Sequence, residues 1–307
     1  MQTQELREHR QARDVTDVPT LSVVVPWHNT HPTRAQSWHW MRRWYEQNMP
    51  FAEIIQVQPD EGEEFNKPSL VNKGVQRASG EVVIIADSDV LPAVPDVLPA
   101  AASHALYAPW VVPHGQVLRL RDEVTVKLLG EPVTTKVFPY GPLVRHPYMG
   151  VAGGGMLVIR RERFLAMGGF DPVFKGWGGE DTAFGIAADT LLGQHLRYAH
   201  VPLLHFYHPP GPRAVHVEYA RNSKRVELYR VLAAHGKEAL AQQLGVSVPS
   251  RDGWLMTRPE RDDSIYEWLL YLNYLGVKVR SSQIGQKRLL MNMAVSAEYR
   301  QPQVREM

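Results

Sequence analysis

Runs of Val, Ile and Leu too short to be helices recur along the first half of the chain, and between them apolar side chains return every three or four positions. This is the sequence form of strands alternating with helices around a largely parallel sheet. The runs LSVVVP (Leu21 to Pro26), EIIQVQ (Glu53 to Gln58) and EVVIIAD (Glu81 to Asp87) predict strands. Thr33 to Asn48 carries Trp40, Trp44 and Tyr45 at helical spacing. Pro68 suits the first turn of a second helix, in which Leu70, Gly74, Val75 and Ala78 share a face until Gly80 stops it. The opening segment therefore reads βαβαβ.

Further on, the glycines of GVAGGGMLVIRRERFLAMGGF (Gly150 to Phe170) precede an apolar strand and a short helix. Phe184, Ala187, Ala188 and Leu191 then follow an amphipathic helical pattern that Gly193 ends. RYAHVPLLHFYH predicts a strand broken at Pro202. Beyond PPGP (Pro209 to Pro212) helix formers dominate, and KRVELYRVLAAHGKEALAQQL and SIYEWLLYLNYLGVKV predict helices. The expected organisation is a polar arm over 1–18, an α/β domain over 19–212 and a helical extension over 213–307.

Composition narrows the function classes. A chain of 307 residues, 44% apolar, buries a substantial core, so disorder along most of it is excluded. It has no cysteine, which removes disulfides, thiolate metal sites and thiol nucleophiles. Basic and acidic residues nearly balance, 34 against 32, and give no global signature for nucleic acid or membrane. The part after residue 210 is mildly basic, which fits a solvated helical face. Apolar runs are too short to span a bilayer, and the polar N-terminus lacks a signal-peptide pattern, so a cytoplasmic protein with no membrane contact is expected.

Three stretches carry chemistry. ADSDVLP sets Asp87 and Asp89 at the end of a hydrophobic strand, where residues two apart in an extended chain point the same way and could share one hard cation. Alone, such a pair more often serves a turn. HFYH offers His205 and His208 as imidazole ligands, or as ordinary hydrogen-bonded histidines. FKGWGGEDTAFG places Glu180 and Asp181 at a helix start, where the dipole favours ionised carboxylates, after glycines that permit a mobile loop around Trp177. An indole there can lie against a sugar ring while the carboxylates take its hydroxyls. Helix capping and an ordinary turn would explain each residue singly.

Taken in order, VVVPWHN, FNKPSLVNKG, ADSDVLP, VAGGGMLVIRRERFLAMGGFD, GWGGEDTAFG and HFYHPPG resemble the GT-A fold glycosyltransferases, in particular the β-1,4-galactosyltransferase and chondroitin-polymerase type of domain. The resemblance covers Pro19 to Pro212. It implies a Rossmann-like, mainly parallel mixed sheet flanked by helices, and a metal-dependent hexosyltransferase that uses a UDP-sugar with Mn²⁺ or Mg²⁺.

Asp87 and Asp89 match the family's DxD motif, with Asp89 as metal ligand and Asp87 near the ribose. Pro26, His28 and Asn29 fall on its first nucleotide loop; Phe65, Asn66, Lys67 and Asn72 match the segment flanking uracil and ribose. Gly154 and Gly155 belong to the sugar-nucleotide site, whose pocket is expected around Gly153 to Met156. A further metal ligand is either His205, which the spacing favours, or His208. Trp177 matches the mobile-loop tryptophan, Glu180 the acceptor-binding carboxylate and Asp181 the catalytic base. Retaining relatives resemble Gly-Gly-Glu-Asn at this point, so Asp181 implies inversion. PDEGEEF (Pro59 to Phe65) departs from the Asp-Asp-Gly-Ser of broader relatives at the base contact.

The acceptor is expected to bear a hydroxyl on a glycan, a protein, a small molecule or a modified nucleic-acid base. The helices after Pro212 are expected to serve acceptor selection or homodimer contacts. The rival reading is a noncatalytic protein of the same fold whose basic C-terminal helices hold a nucleic acid or a protein. Two enzyme rivals are weaker: PWHNTHPTR lacks the glycine-rich loop of a pyrophosphorylase, and GVAGGG precedes a strand rather than joining a first strand to a helix as in a dehydrogenase.

Overall fold

The structure is a computed structural model that describes residues 19–249 apart from 30, 94–95, 134–143, 145 and 210–215. The arm over 1–18 and the helix expected from SIYEWLLYLNYLGVKV lie outside the described residues.

Strands β1 (Leu21–Pro26), β2 (Glu53–Val57) and β3 (Val82–Ala86) pair in parallel, with Val24 beside both Ile55 and Ile85. Helices α1 (Pro32–Asn48) and α2 (Lys67–Arg77) make the crossovers. Side chains of a strand alternate between faces. Val23 and Val25 accordingly pack with Trp40, Trp44 and Tyr45 of α1, while Val24 packs with Leu70, Val71 and Val75 of α2 on the other face. The α2 contact is close, since a Cβ on Gly74 would stand 2.3 Å from Val24 Cγ1. An alanine there would push the helix off the sheet.

The sheet continues with β8 (Met156–Arg160), β5 (Val111–Val112) and β9 (Leu196–Arg197), in the order β2-β1-β3-β8-β5-β9. The expected mixed, mainly parallel sheet is present, and its reversed member is β8, which runs antiparallel to both β3 and β5. The reason is the turn at Gly154 and Gly155. It starts β8 where β3 ends, with the Asp87 N–H donating to the Gly155 carbonyl at 2.8 Å.

A second sheet, β4 (Val90–Pro92), β10 (Leu203–His205), β6 (Gln116–Arg119) and β7 (Tyr148–Met149), has the order β4-β10-β6-β7. The break at Pro202 separates β9 from β10 and sends them to different sheets. Helices α3 (Val97–His104), α4 (Asp122–Gly130), α5 (Arg161–Ala166) and α6 (Glu180–Leu191) complete the layers.

The segment expected as one helix from Lys224 to Leu244 is two, α7 (His216–His235) and α8 (Lys237–Leu244), split at Gly236 with φ 110°. Val226 and Tyr229 of α7, with Leu240 and Ala241 of α8, join the same apolar cluster as Phe174, Phe184 and Leu191. The Tyr229 hydroxyl also donates to Asp171 Oδ2 at 2.8 Å. No helix among the described residues is long and apolar enough to cross a membrane.

Candidate active site

The chain leaves the first sheet at Ala86 and enters the second at Val90, so Asp87 and Asp89 sit in the turn between the sheets. The turn overturns the extended geometry expected of them, and the two carboxylates diverge. Asp89 is 4% exposed and faces His205 and His208, the three ligand atoms lying within 4.8 Å of one another. Asp87 turns to Lys67, whose Nζ is 2.7 Å from its Oδ1.

Register explains the first group. His205 pairs with Val90 across β10 and β4, and the Phe206 N–H donates to the Asp89 carbonyl at 2.9 Å. His205 Nδ1 lies 2.8 Å from the Phe206 carbonyl and His208 Nδ1 lies 2.8 Å from the Pro209 carbonyl. A carbonyl only accepts, so both rings carry the proton on Nδ1 and keep the Nε2 lone pair. The sequence posed His205 and His208 as alternatives, and the structure brings both to Asp89.

Asp89 Oδ2 is buried without a hydrogen-bond partner. A buried polar atom left so is costly unless something else satisfies it. One carboxylate oxygen and two imidazole nitrogens form a mixed donor set that suits a divalent ion such as Mn²⁺, so the residues fit the metal that the resemblance implies. Burial alone would raise the Asp89 pKa, but His205, Arg34, His208 and Lys67 outweigh it and hold the carboxyl below its usual range. Burial also lowers His208, against the pull of Asp89.

The second group centres on Asp181 in the first turn of α6. Its Oδ1 lies 2.9 Å from Lys67 Nζ, so one ammonium joins Asp87 to Asp181. Burial pushes the Asp181 carboxyl up to about 7; Lys67 opposes the shift, while Glu180 and Asp87 add to it. Lys67 is buried, which works against its charge, yet Asp181, Asp87 and Glu180 hold it well above the ordinary lysine value. Gly153 and Gly154 stand close to Asp181: a Cβ on Gly153 would meet its backbone carbonyl oxygen at 2.2 Å, and one on Gly154 would meet its Oδ2 at 3.1 Å. The site thus has an Asp89 end and an Asp181 end, with Asp87 and Lys67 between.

Other residues singled out from the sequence fall into two sets. His28 and Phe65 stack with ring centroids 5.6 Å apart and planes 6° off parallel, on exposed loops that follow β1 and precede α2. Pro26 ends β1 and is buried, and Asn29 is exposed beside His28. Asn66 and Asn72 are committed differently. Asn66 caps α2 by accepting from the Ser69 N–H and donates to the Pro172 and Phe174 carbonyls. Asn72 exchanges two hydrogen bonds with the Phe170 backbone. Both tie α2 to the stretch leading into the Trp177 loop.

In that loop Gly176, Gly178 and Gly179 have φ of 69°, 97° and 93°, a region that residues with a Cβ rarely enter. Trp177 is 65% exposed and stacks on Tyr219 of α7 at 5.9 Å and 16°.

Three residues at the site escaped the sequence reading. Arg34 on α1 contacts both Asp89 and His208, and its only sequence signal is a basic residue in a first helical turn, where acidic ones are favoured. His114, fully buried, lies 3.2 Å by Nε2 from the Gly154 carbonyl, and nothing set it apart among thirteen histidines. Tyr219 lay beyond the boundary placed at residue 212.

Comparison with known proteins bears on this arrangement. Residues 141–208 match a family model described as the N-terminal domain of galactosyltransferase. The matched stretch contains Gly154, Gly155, Trp177, Glu180, Asp181, His205 and His208. No curated protein matches the chain.

Among solved structures, the catalytic domain of Drosophila β1,4-galactosyltransferase 7, in complex with xylobiose, is 22% identical over 58% of this chain and 64% of its own, with a TM-score of 0.35. The chain thus spans less than two thirds of that domain. The mannosyltransferase PcManGT from Pyrobaculum calidifontis, in complex with GDP-Man and Mn²⁺, is 18% identical over 94% of this chain and 83% of its own, with a TM-score of 0.42. GalNAc-T7 with UDP, GalNAc and Mn²⁺ is 15% identical over 75% and 56%, also with a TM-score of 0.42.

Proposed function

We propose that this protein is an inverting, metal-dependent glycosyltransferase that moves a sugar from a UDP-sugar to an acceptor hydroxyl. The observation that carries the reading is the convergence, at the junction of the two sheets, of the Asp89, His205 and His208 cluster with the separate carboxylate of Asp181. The galactosyltransferase-type match over residues 141–208 supports it.

Glycosyl transfer needs a hydroxyl made nucleophilic, a diphosphate made a stable leaving group, and the two held in line. Asp181, with a pKa near 7, is matched to accepting a proton from a hydroxyl at neutral pH. Glu180 beside it takes a neighbouring acceptor hydroxyl. Trp177 offers its exposed face to the acceptor ring, and closure of its loop excludes the water that would otherwise hydrolyse the donor.

Asp89, His205 and His208 would hold the divalent ion, which supplies Lewis-acid neutralisation of charge on the departing UDP. The paired rings of His28 and Phe65 lie on the two loops assigned to the nucleotide. Gly153 and Gly154 let the chain before β8 approach the first turn of α6, and so Asp181, closely. The rival reading, a noncatalytic binding protein of the same fold, would be favoured by damage at the metal or base positions, and Asp89, His205, His208 and Asp181 carry none.

The test is calorimetric titration with UDP, with and without Mn²⁺, on the wild-type protein and on Asp89→Ala, followed by UDP release over a panel of UDP-sugars. Mn²⁺-dependent UDP binding that Asp89→Ala abolishes, with slow release from one sugar nucleotide, is the expected result. UDP binding indifferent to Mn²⁺ and to Asp89, or none at all, would overturn the reading.

A further inference from the structure

Arg34 reaches the Asp89, His205 and His208 cluster from α1, a separate element. Its Nη1 lies 3.4 Å from Asp89 Oδ2, and its Nη2 lies 3.1 Å from His208 Nε2 and 3.2 Å from His208 Nδ1, against the ring. Guanidinium has no acceptor and keeps its positive charge, which here stands against the Asp89 carboxylate and the His208 ring. A divalent ion held here would use Asp89 Oδ2 and His208 Nε2. Its charge and that of Arg34 therefore compete for the Asp89 carboxylate.

A second observation concerns where Arg34 stands. It is in the first turn of α1, at the positive end of the helix dipole, and that turn holds no acidic residue. A base is disfavoured there unless an anion faces it. Asp89 is such an anion, and once a divalent ion takes Asp89 the guanidinium needs another. Its planar fork suits two oxygens of a phosphate group.

We propose that Arg34 is an exchange residue: it yields Asp89 and His208 to the divalent ion and then pairs with the diphosphate of the donor nucleotide. This rests on the metal-site reading given above. Arg34 thereby opposes binding of the ion alone and favours binding of ion and nucleotide together, which couples the two ligands.

The full chain and its Arg34→Gln and Arg34→Lys variants are titrated with Mn²⁺ alone, with the free ion read by electron paramagnetic resonance, and then with UDP at saturating Mn²⁺. Glutamine removes the competing charge, so Arg34→Gln binds Mn²⁺ about tenfold more tightly and UDP about tenfold more weakly, the scale of one hydrogen bond to a charged group. Lysine keeps the charge without the fork, so it holds Mn²⁺ near the wild-type affinity and still loses UDP. Unchanged Mn²⁺ affinity in Arg34→Gln, or weakening of both ligands together, overturns the exchange role. A wild-type chain that takes up no Mn²⁺ overturns the metal site itself, a result distinct from either.

Discussion

Lys67 Nζ stands 2.9 Å from Asp181 Oδ1, both side chains mostly buried, with Asp87 on the other side of the same ammonium. The pairing sets the working range of the proposed base. Burial drives the Asp181 carboxyl up, and Lys67 is the largest influence that draws it back. Replacing Lys67 by Gln removes that restraint, so the pKa rises and the acid limb of the transfer rate moves to higher pH. The loss of a buried partner also costs on the order of 3–5 kcal/mol of stability. A pH–rate profile and a denaturant titration of the variant check both effects.

As the proposed base, Asp181 accepts a proton only when ionised, so transfer is expected to rise with pH through about 7 and level above it. Asp181→Asn has no such limb and loses about 10²- to 10⁴-fold in turnover, the usual worth of a positioned base. Its Mn²⁺-dependent affinity for UDP stays near wild type, because Asp181 lies outside the metal cluster. Parallel rate and calorimetric measurements separate these two effects, and full activity in the variant would remove Asp181 from the mechanism.

Gly153 has no room for a methyl group, which would stand 2.2 Å from the Asp181 carbonyl on the first turn of α6. Gly153→Ala must shift that turn. About 1–3 kcal/mol of stability is lost by overpacking, and turnover falls by more than the stability loss implies, because Asp181 moves with the turn. Thermal unfolding together with steady-state kinetics at a temperature where the variant is folded tests this.

His114 carries an acid-sensitivity prediction. Burial, helped by the Arg197 charge, pushes its imidazole down to about 4 from the ordinary 6.5. Above pH 6.5 both folded and unfolded chains hold it neutral and the contribution to stability is full. Below that, the unfolded chain takes up a proton the folded one refuses, so stability falls as pH drops toward 4. Between pH 7 and pH 5 the loss from this one group is about 2 kcal/mol. Denaturant unfolding of wild type and His114→Gln across that range should differ by this slope, and equal slopes would assign the acid sensitivity elsewhere.

Much of the first sheet was legible because its long strands announce themselves. Val23 and Val24, or Ile84 and Ile85, face opposite apolar layers, so β1 and β3 read as unbroken hydrophobic runs. The second sheet carried little signal, since strands of two to four residues such as Val90–Pro92 or Tyr148–Met149 are too short to show a period. Residue type, the strand-end position of the Asp-x-Asp pair and the family resemblance nominated Asp89, His205 and His208. The divergence of Asp87 from Asp89 did not follow from spacing, because it depends on a turn made by leaving one sheet for another. Arg34 meets His208 across 174 positions of chain, a contact only the tertiary structure brings about. Gly236 was present in the helical segment from Lys224 to Leu244, but a lone glycine lowers helix propensity without announcing a break, and the split came from its positive φ.

The Trp177 loop is moored on both margins. On one side Asn66 holds the Phe174 carbonyl and the buried Asn222 of α7 holds the Lys175 carbonyl at 2.8 Å; on the other, Gly179 is the N-cap of α6, wedged against Phe174, Asn222 and Val226. Gly176 to Gly178 lies between these moorings, a ribbon at most about 11 Å long when fully stretched. Under the proposed function such a ribbon would be a hatch, not a moving domain, with the reach of a single sugar ring. On that reading a longer acceptor would lie mostly outside it, along the α7 flank where Tyr219 meets the indole.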